Sequence, residues 1–306
     1  MEIYLPIAQM SVHWLIVLGM GFGVGFLSGL FGIGGGFLLT PLLIFYGIPP
    51  GVAVATTASQ VSGVTVSGVL SHWKRRSVDF RMGAVMMTGG LVGTAFGVYL
   101  FSVFRRMGQS EFAVSLSYVL LLGSVGAIML NESIRSWRAA RNGLPAPGHR
   151  PGQHSWIHGL PLKMRFRQSR LYISAVPPVV LGFVVGVLSA IMGVGGGFLM
   201  VPVMIYLLRM PTNVVVGTSL FQVLFVTAMA TILHAVDNYT VDIMLALILI
   251  LGGVFGAQYG VRFGAKLRGE QLRFLLALLL IAVAARLFYE MAVRPADLYS
   301  LTVDAP

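Results

Sequence analysis

Apolar residues fill this chain in long runs separated by short polar stretches. The runs cover residues 12–31, 37–47, 52–70, 82–104, 112–130, 172–192, 198–208, 213–233, 243–263 and 274–285. Most approach the roughly 20 residues that carry a helix across a bilayer. In lipid the backbone has no water to bond, so such runs close their hydrogen bonds internally, as helices. The pattern predicts an all-α, polytopic membrane protein of about eight to ten helical segments.

Two runs are interrupted by the same pattern, Gly32-Ile33-Gly34-Gly35-Gly36 and Gly193-Val194-Gly195-Gly196-Gly197, and each is followed by a proline, Pro41 or Pro202. Residues 21–41 and 182–202, at an offset of 161, agree at 13 of 21 positions. The chain is therefore read as an internal duplication, with a first repeat over 1–131, a basic linker over 132–171, a second repeat over 172–293 and a tail over 294–306. Residues 12–47 as one helix would be about 54 Å long, against a hydrocarbon core of roughly 30 Å. A break is expected at each glycine cluster, which leaves 37–47 and 198–208 as short or partial helices. Discontinuous helices of this kind mark the binding site in transporters built from repeats.

Composition narrows the class. The 306 residues are 57% hydrophobic and 10% charged, where soluble domains carry about 25% charged residues. The net charge of +11 sits in short connections, where orientation and anionic headgroups account for it, so nucleic acid is not the expected partner. With no cysteine, disulfides, thiolate metal sites and thiol nucleophiles are excluded, and no cofactor is implied. No Lys or Arg precedes the first apolar run, so it is expected to remain as a span and not to be removed as a signal peptide.

Charge also sets orientation. Lys74, Arg75, Arg76 and Arg81 crowd one short connection and eight Lys or Arg lie in 131–170, which places both in the cytoplasm. The corresponding second-half stretch, 234–242, has no Lys or Arg and is expected outside. The next connection, with Arg262, Lys266, Arg268 and Arg273, reads as inside, whereas its counterpart at Arg105 and Arg106 reads as outside. The repeats are thus read as inverted; eight spans in parallel repeats are the alternative.

Candidate chemistry starts at the clusters. Gly34, Gly35 and Gly36, and Gly195, Gly196 and Gly197, each lead into a helix, which aims unpaired N–H groups and a positive dipole end at a shared cavity suited to an anion. Glycine runs also serve close helix packing, and these lack the Lys-Ser/Thr of a phosphate-binding loop. Thr57 and Thr218 align across the repeat and, with Gln60, Ser219 and Gln222, are expected to line a polar path. Such groups donate to oxyanions without the cost of an intramembrane charge, although hydroxyls also bond back to their own helix. Asp79 and Asp242 sit in the first turn of a span and are read as caps, with proton coupling as the sharper alternative. His72 and His234 carry the same pair of readings, polar anchor or coupling group. Arg209, before Pro211, is read as snorkelling to the surface, or as a counter-charge for an anion. Arg286 lies four residues before Glu290, the spacing of an ion pair on one helix face.

Taken together these residues resemble the sulfite exporter TauE/SafE family of bacterial membrane proteins. The resemblance runs through Gly32 to Phe37 and Pro41, Ala55-Thr56-Thr57 and His72 to Phe80, then Gly193 to Phe198, Val216 to Leu220, Thr240-Val241-Asp242 and Gly252 to Ala257. Arg76 stands where the family pattern has Gly, Phe80 where it has Trp, and Ala58 where it often has Ser. The resemblance implies movement of small sulfur-containing anions, such as sulfite or organosulfonates, across the bacterial inner membrane. The reading is a secondary transporter working outward, with a small anion and the bilayer as partners. A gated anion channel is the alternative. A membrane enzyme is weaker, because the inverted reading puts His72 and His234 at opposite faces and no paired-His or His-Glu motif lies within a span.

Overall fold

In the computed structural model the described residues are 2–31, 35–74, 76–141, 162–166, 168–169, 171–208, 210–264 and 269–293. Gly34, Arg209 and the tail from 294 lie outside them, as does most of the basic linker. Ten helices form among the described residues: α1 (Trp14–Phe31), α2 (Gly36–Phe45), α3 (Pro50–Lys74), α4 (Phe80–Arg106), α5 (Ser110–Arg141), α6 (Val176–Met192), α7 (Gly197–Tyr206), α8 (Thr212–Asp237), α9 (Ile243–Gly264) and α10 (Gly269–Ala292). Six of them, α3, α4, α5, α8, α9 and α10, are long and apolar enough to cross a membrane. Along α9, Ile243, Leu247, Leu251, Phe255 and Tyr259 form an exposed stripe at four-residue spacing. In a bilayer this face meets lipid, which removes the cost that water would impose. The protein is an all-α, multi-pass membrane protein.

Two small antiparallel hairpins supplement the helices, β1 (Glu2–Leu5) with β2 (Met10–His13) and β3 (Lys163–Phe166) with β4 (Leu171–Ser174). Each leads into α1 or α6. The first apolar run therefore begins in a strand, where buried Val12 pairs with Ile3, and its helix starts at Trp14. Two other boundaries also differ from the pattern. Helix α3 runs on to Lys74, so His72 lies in its last turn and not in a loop; α8 runs on to Asp237, so His234 is a helix residue, fully buried. Polar residues inside these last turns are tolerated because their side chains find partners, described below. Helix α5 likewise continues to Arg141, past residue 131. Arg286 and Glu290 pair at 2.9 Å on one face of α10, as their spacing predicts.

Both glycine clusters break their helix. Helix α6 closes on Gly193, whose left-handed φ of 71° lets its N–H reach the Ser189 carbonyl at 2.8 Å. Gly195 (75°) and Gly196 (71°) are left-handed as well, a conformation that costs L-residues with a Cβ about 1–2 kcal/mol each. In the first half α1 ends at Phe31 and α2 starts at Gly36. Helices α2 and α7 are 10 residues each, about 15 Å, half of a hydrocarbon core.

Close packing of glycines fixes the helix pairs. Gly21, Gly25 and Gly29 of α1 press on α9, which answers with Gly252, Gly256 and Gly260. Gly89, Gly93 and Gly97 of α4 press on α6, which answers with Gly182 and Gly186. A methyl group on Gly256 would overlap the Phe22 carbonyl, and one on Gly93 the Phe183 carbonyl. With no hydrophobic drive between helices in lipid, this backbone contact is what holds them together.

Helix directions follow from two hydrogen bonds. The Asp79 N–H, just beyond the end of α3, donates to Thr218 Oγ1 near the start of α8 (3.0 Å), and the Asp242 N–H, just beyond α8, donates to Thr56 Oγ1 near the start of α3 (3.3 Å). Helices α3 and α8 are therefore antiparallel, as are α4 and α9. One end of the molecule carries His72, Lys74 and Asp79; the other carries Asn238, Asp242 and Arg105.

Candidate functional site

The two clusters meet in the middle of the fold. A Cβ on Gly36 would touch Val61 and the Val194 carbonyl, and one on Gly195 would touch Val61, Val223 and Thr227. Behind them the Phe37 and Phe198 rings lie 5.3 Å apart. Neither α2 nor α7 has a side-chain cap at its N-terminus. Each cluster nevertheless opens on its own space. Gly35 lines a cleft of about 510 Å³, whereas Gly196 lines a void of about 10 Å³, the size of one water.

The large cleft lies between α1, α3 and α9, with Val216 and Leu220 of α8 closing it. Helix α3 contributes a single face to it, from Gln60 through Thr65 to His72. Twelve residues separate Gln60 from His72 along this face, a run of about 18 Å. The cleft thus reaches from the glycine level to the end that bears Lys74. Helix α1 adds Ser28 and Gly29, and α9 adds Gln258 and Arg262. Ser28 and Gln258 were not singled out from the sequence, and Arg262, read there only as an orientation marker in a connection, lies in the last turn of α9. The signal existed for the last two, a polar pair at i,i+4 in the last turns of an apolar span.

Among the expected site residues, Thr57, Gln60 and Gln222 are 0–2% exposed, and the Thr57 hydroxyl and both glutamine side-chain oxygens have no hydrogen-bond partner in the protein. The Ser189 hydroxyl beside Gly196 is in the same condition. Buried polar atoms are normally paired, so the unpaired Gln60 oxygen on the cleft wall marks a place where something else binds. Which end of each amide faces that ligand is set by rotation of the side chain. A hydroxyl, an amide and uncapped backbone N–H groups around one cleft suit a small polar solute, held by hydrogen bonds.

Thr218 and Ser219 are differently placed. The Thr218 hydroxyl donates to the Val214 carbonyl (2.8 Å) while accepting from the Asp79 N–H, and the Ser219 hydroxyl donates to the Val216 carbonyl (2.9 Å). The partner that matches Thr218 across the halves is Thr56, not Thr57, an offset of 162 that also superposes Gln60 on Gln222 and His72 on His234. One residue of shift turns a helix by about 100°, so Thr57 lies on a different face of α3 from Thr56.

Both aspartates are caps. Asp79 accepts from the Met82 N–H (3.1 Å), the Ser169 N–H (3.0 Å) and the Ser169 hydroxyl (2.7 Å). Asp242 accepts from the Leu245 N–H (3.1 Å) and from the Ile7 N–H in the turn of the first hairpin (3.2 Å). Each carboxylate fixes a helix start to the hairpin of the other half.

The histidines separate the two ends. His234 Nε2–H donates to the Ala190 carbonyl (2.9 Å), and its Nδ1 accepts from Asn238 Nδ2–H (3.2 Å), an assignment that follows from what each partner offers. The Ser102 hydroxyl donates to Asn238 Oδ1 (3.1 Å) and Arg105 donates to the Asn238 carbonyl. Tyr118 OH donates to the Met192 carbonyl (2.8 Å). Three of the last four carbonyls of α6, those of Ser189, Ala190 and Met192, are thereby satisfied, which is what a helix broken inside a membrane requires. This end is sealed. At the other end His72 exchanges a hydrogen bond with Ser77 Oγ (2.9 Å) and lines the open cleft across from Gly29, the residue that matches Ala190.

Comparison with known proteins agrees with this architecture. The sequence model of a family described as "Sulfite exporter TauE/SafE" matches residues 17–287. The chain is 30% identical over 271 residues to "Probable membrane transporter protein YjnA" of Bacillus subtilis (strain 168), covering 88% of this chain and 97% of that one. It is 31% identical over 283 residues to a "Probable membrane transporter protein" of Xylella fastidiosa (strain Temecula1), covering 90% and 95%. A shorter match, 35% identical over 99 residues, is to "Sulfite exporter TauE/SafE family protein 6" of Arabidopsis thaliana, covering 31% of this chain and 23% of that one. No solved structure matches the chain.

Proposed function

The chain belongs to the sulfite exporter TauE/SafE family, a family of membrane transporters, and from that premise we propose that it is a secondary carrier exporting small sulfur-containing oxyanions, such as sulfite or organosulfonates, across the bacterial inner membrane. The observation that carries the reading is the cleft that reaches Gly35 and the buried Gln60, whose side-chain oxygen has no partner in the protein. Oxyanion oxygens would accept from Thr57, from the Gln60 amide and from the N–H groups at the start of α2. Thr218, Ser219, Asp79 and Asp242 act one step back, holding α8, α4 and α9 in place.

A cleft open at one end and a hydrogen-bonded seal at the other fit a carrier in one of its two access states. The antiparallel course of α3 and α8, and of α4 and α9, supports inverted repeats that exchange these roles. The open end is the one bearing Lys74, Arg76 and Arg81, so by the positive-inside rule it faces the cytoplasm, and the state is loaded from within. An inside-negative potential aids the exit of an anion by about 2.3 kcal/mol per charge per 100 mV, roughly fifty-fold in concentration. A monoanion therefore leaves without a coupled ion.

Counterflow in proteoliposomes tests the reading. Labelled sulfite should exchange faster against trans sulfite or sulfoacetate than into empty buffer, and should saturate. Flux that rises linearly without saturation would overturn the carrier in favour of a channel, and no flux of sulfite, thiosulfate or sulfoacetate would overturn the anion.

A further inference from the structure

We propose that Arg262 and Gln258 of α9 form a capture station for the anion at the mouth of the cleft, ahead of the Gln60 level and present at one end of the protein only. The proposal rests on the transport reading above and adds a site to it. Val254, Ala257, Gln258, Val261 and Arg262 all line the cleft; their spacing is one face of one helix. On that face Gln258 and Arg262 are successive turns of a single stripe, both exposed, so an amide and a guanidinium present donors side by side.

Charge singles the pair out. Among the described residues lining the cleft, Arg262 alone carries a fixed charge. No carboxylate among the described side chains lies within ion-pair reach of it; the ion pair found among them joins Arg286 and Glu290. A guanidinium with no described carboxylate beside it, on the wall of a cleft with low-dielectric sides, focuses its field into that cleft and draws anions there. Its place at the C-terminal end of α9 is itself favoured by the helix dipole, so the position is stable while the cleft is empty. Guanidinium and amide together offer the planar, multiple-donor geometry that matches an oxyanion.

Duplication does not account for the pair. When Asp79 is set on Asp242, the offset is 163, and Gly89, Gly93 and Gly97 fall on Gly252, Gly256 and Gly260. At the same offset Gln258 falls on Ala95 and Arg262 on Tyr99. The packing glycines are thus kept in both halves, while the polar pair belongs to the second alone. Its place beside the basic end gives that face a charged station that the duplicated segment of the first half does not reproduce.

The test measures efflux of sulfite and of sulfoacetate from proteoliposomes loaded at the basic face, as a function of concentration and of KCl. Arg262→Gln is expected to raise KM roughly tenfold, the worth of one charge-assisted hydrogen bond, and to raise KM more than it lowers Vmax. Gln258→Ala should raise KM by a smaller factor, and Arg262→Lys should recover most of the loss. The KM of the unaltered protein should climb with KCl as the field is screened, and that of Arg262→Gln should stay flat. A residue that only anchors the helix at the membrane surface would change the amount of inserted protein and leave KM and its salt dependence alone, which would overturn the proposal. Should Arg262→Gln fail to insert, Gln258→Ala decides it, and an unchanged KM there overturns it. Absence of flux in the unaltered protein would instead overturn the transport reading beneath it.

Discussion

Thr57 and Asp79 are both buried polar residues next to helix ends, yet the structure gives them opposite expectations. Thr57 holds a hydroxyl with no partner, so Thr57→Val removes an unpaired polar group and should leave the melting temperature in detergent unchanged or higher, while lowering apparent sulfite affinity about tenfold. Asp79→Ala removes the acceptor of three hydrogen bonds and should destabilise by about 3–5 kcal/mol, read as a large drop in melting temperature. Asp242→Ala, which removes the acceptor of two, should drop it less. Thr218→Val belongs with the aspartates: it should cost stability, because the Asp79 N–H loses its acceptor. The sequence marks all of these as polar residues in apolar surroundings. It does not say which are satisfied, because their partners lie up to 235 positions away in the chain.

Between helices the decisive contacts are backbone to backbone. Gly256→Leu would drive a side chain into the Phe22 carbonyl and should abolish folded, membrane-inserted protein, and Gly93→Ala should reduce it through the Phe183 carbonyl. Gly123, which has nothing within 4 Å of the site of a Cβ, should accept Ala without loss; yield of monodisperse protein after detergent extraction compares the three. The two breaks were legible in the chain, because a single apolar helix over residues 12–47 would be too long for the bilayer, whereas the four-residue spacing of the packing glycines took its meaning only from the helix pairs. The two hairpins and the final turns holding His72 and His234 were not visible. Strand residues such as Val12 are as apolar as the helix that follows, and a buried histidine is tolerated only by virtue of the Ala190 carbonyl and Asn238 that receive it.

Among the described residues a cleft opens toward the basic end and a hydrogen-bonded network around Asn238 lies at the other, and the absence of cysteine makes the access states of the proposed carrier directly measurable. A single cysteine at Ser67, which is exposed and lines the cleft, should react with a membrane-impermeant thiol reagent from the basic face and be protected by sulfite. One at Thr227, which matches Thr65 of the cleft wall but is fully buried, should stay unlabelled until the carrier is driven to its other state; equal labelling of the two would refute the asymmetry. A reporter fused after Asp237 should read as outside the cytoplasm, because that end carries Asn238 and Asp242 while the opposite end carries the basic cluster. The sequence by itself determined the membrane class, a set of eight to ten helical segments, the breaks at the glycines and the family, because hydropathy, glycine spacing and charge bias act locally along the chain. Only the tertiary structure decided that the two glycine clusters touch yet open on separate spaces, that Thr56 matches Thr218, that both aspartates are spent on caps and that Arg262 lines the cleft. Those facts depend on which helix faces meet, and a side chain's free hydrogen bonds are known only once its distant neighbours have taken theirs.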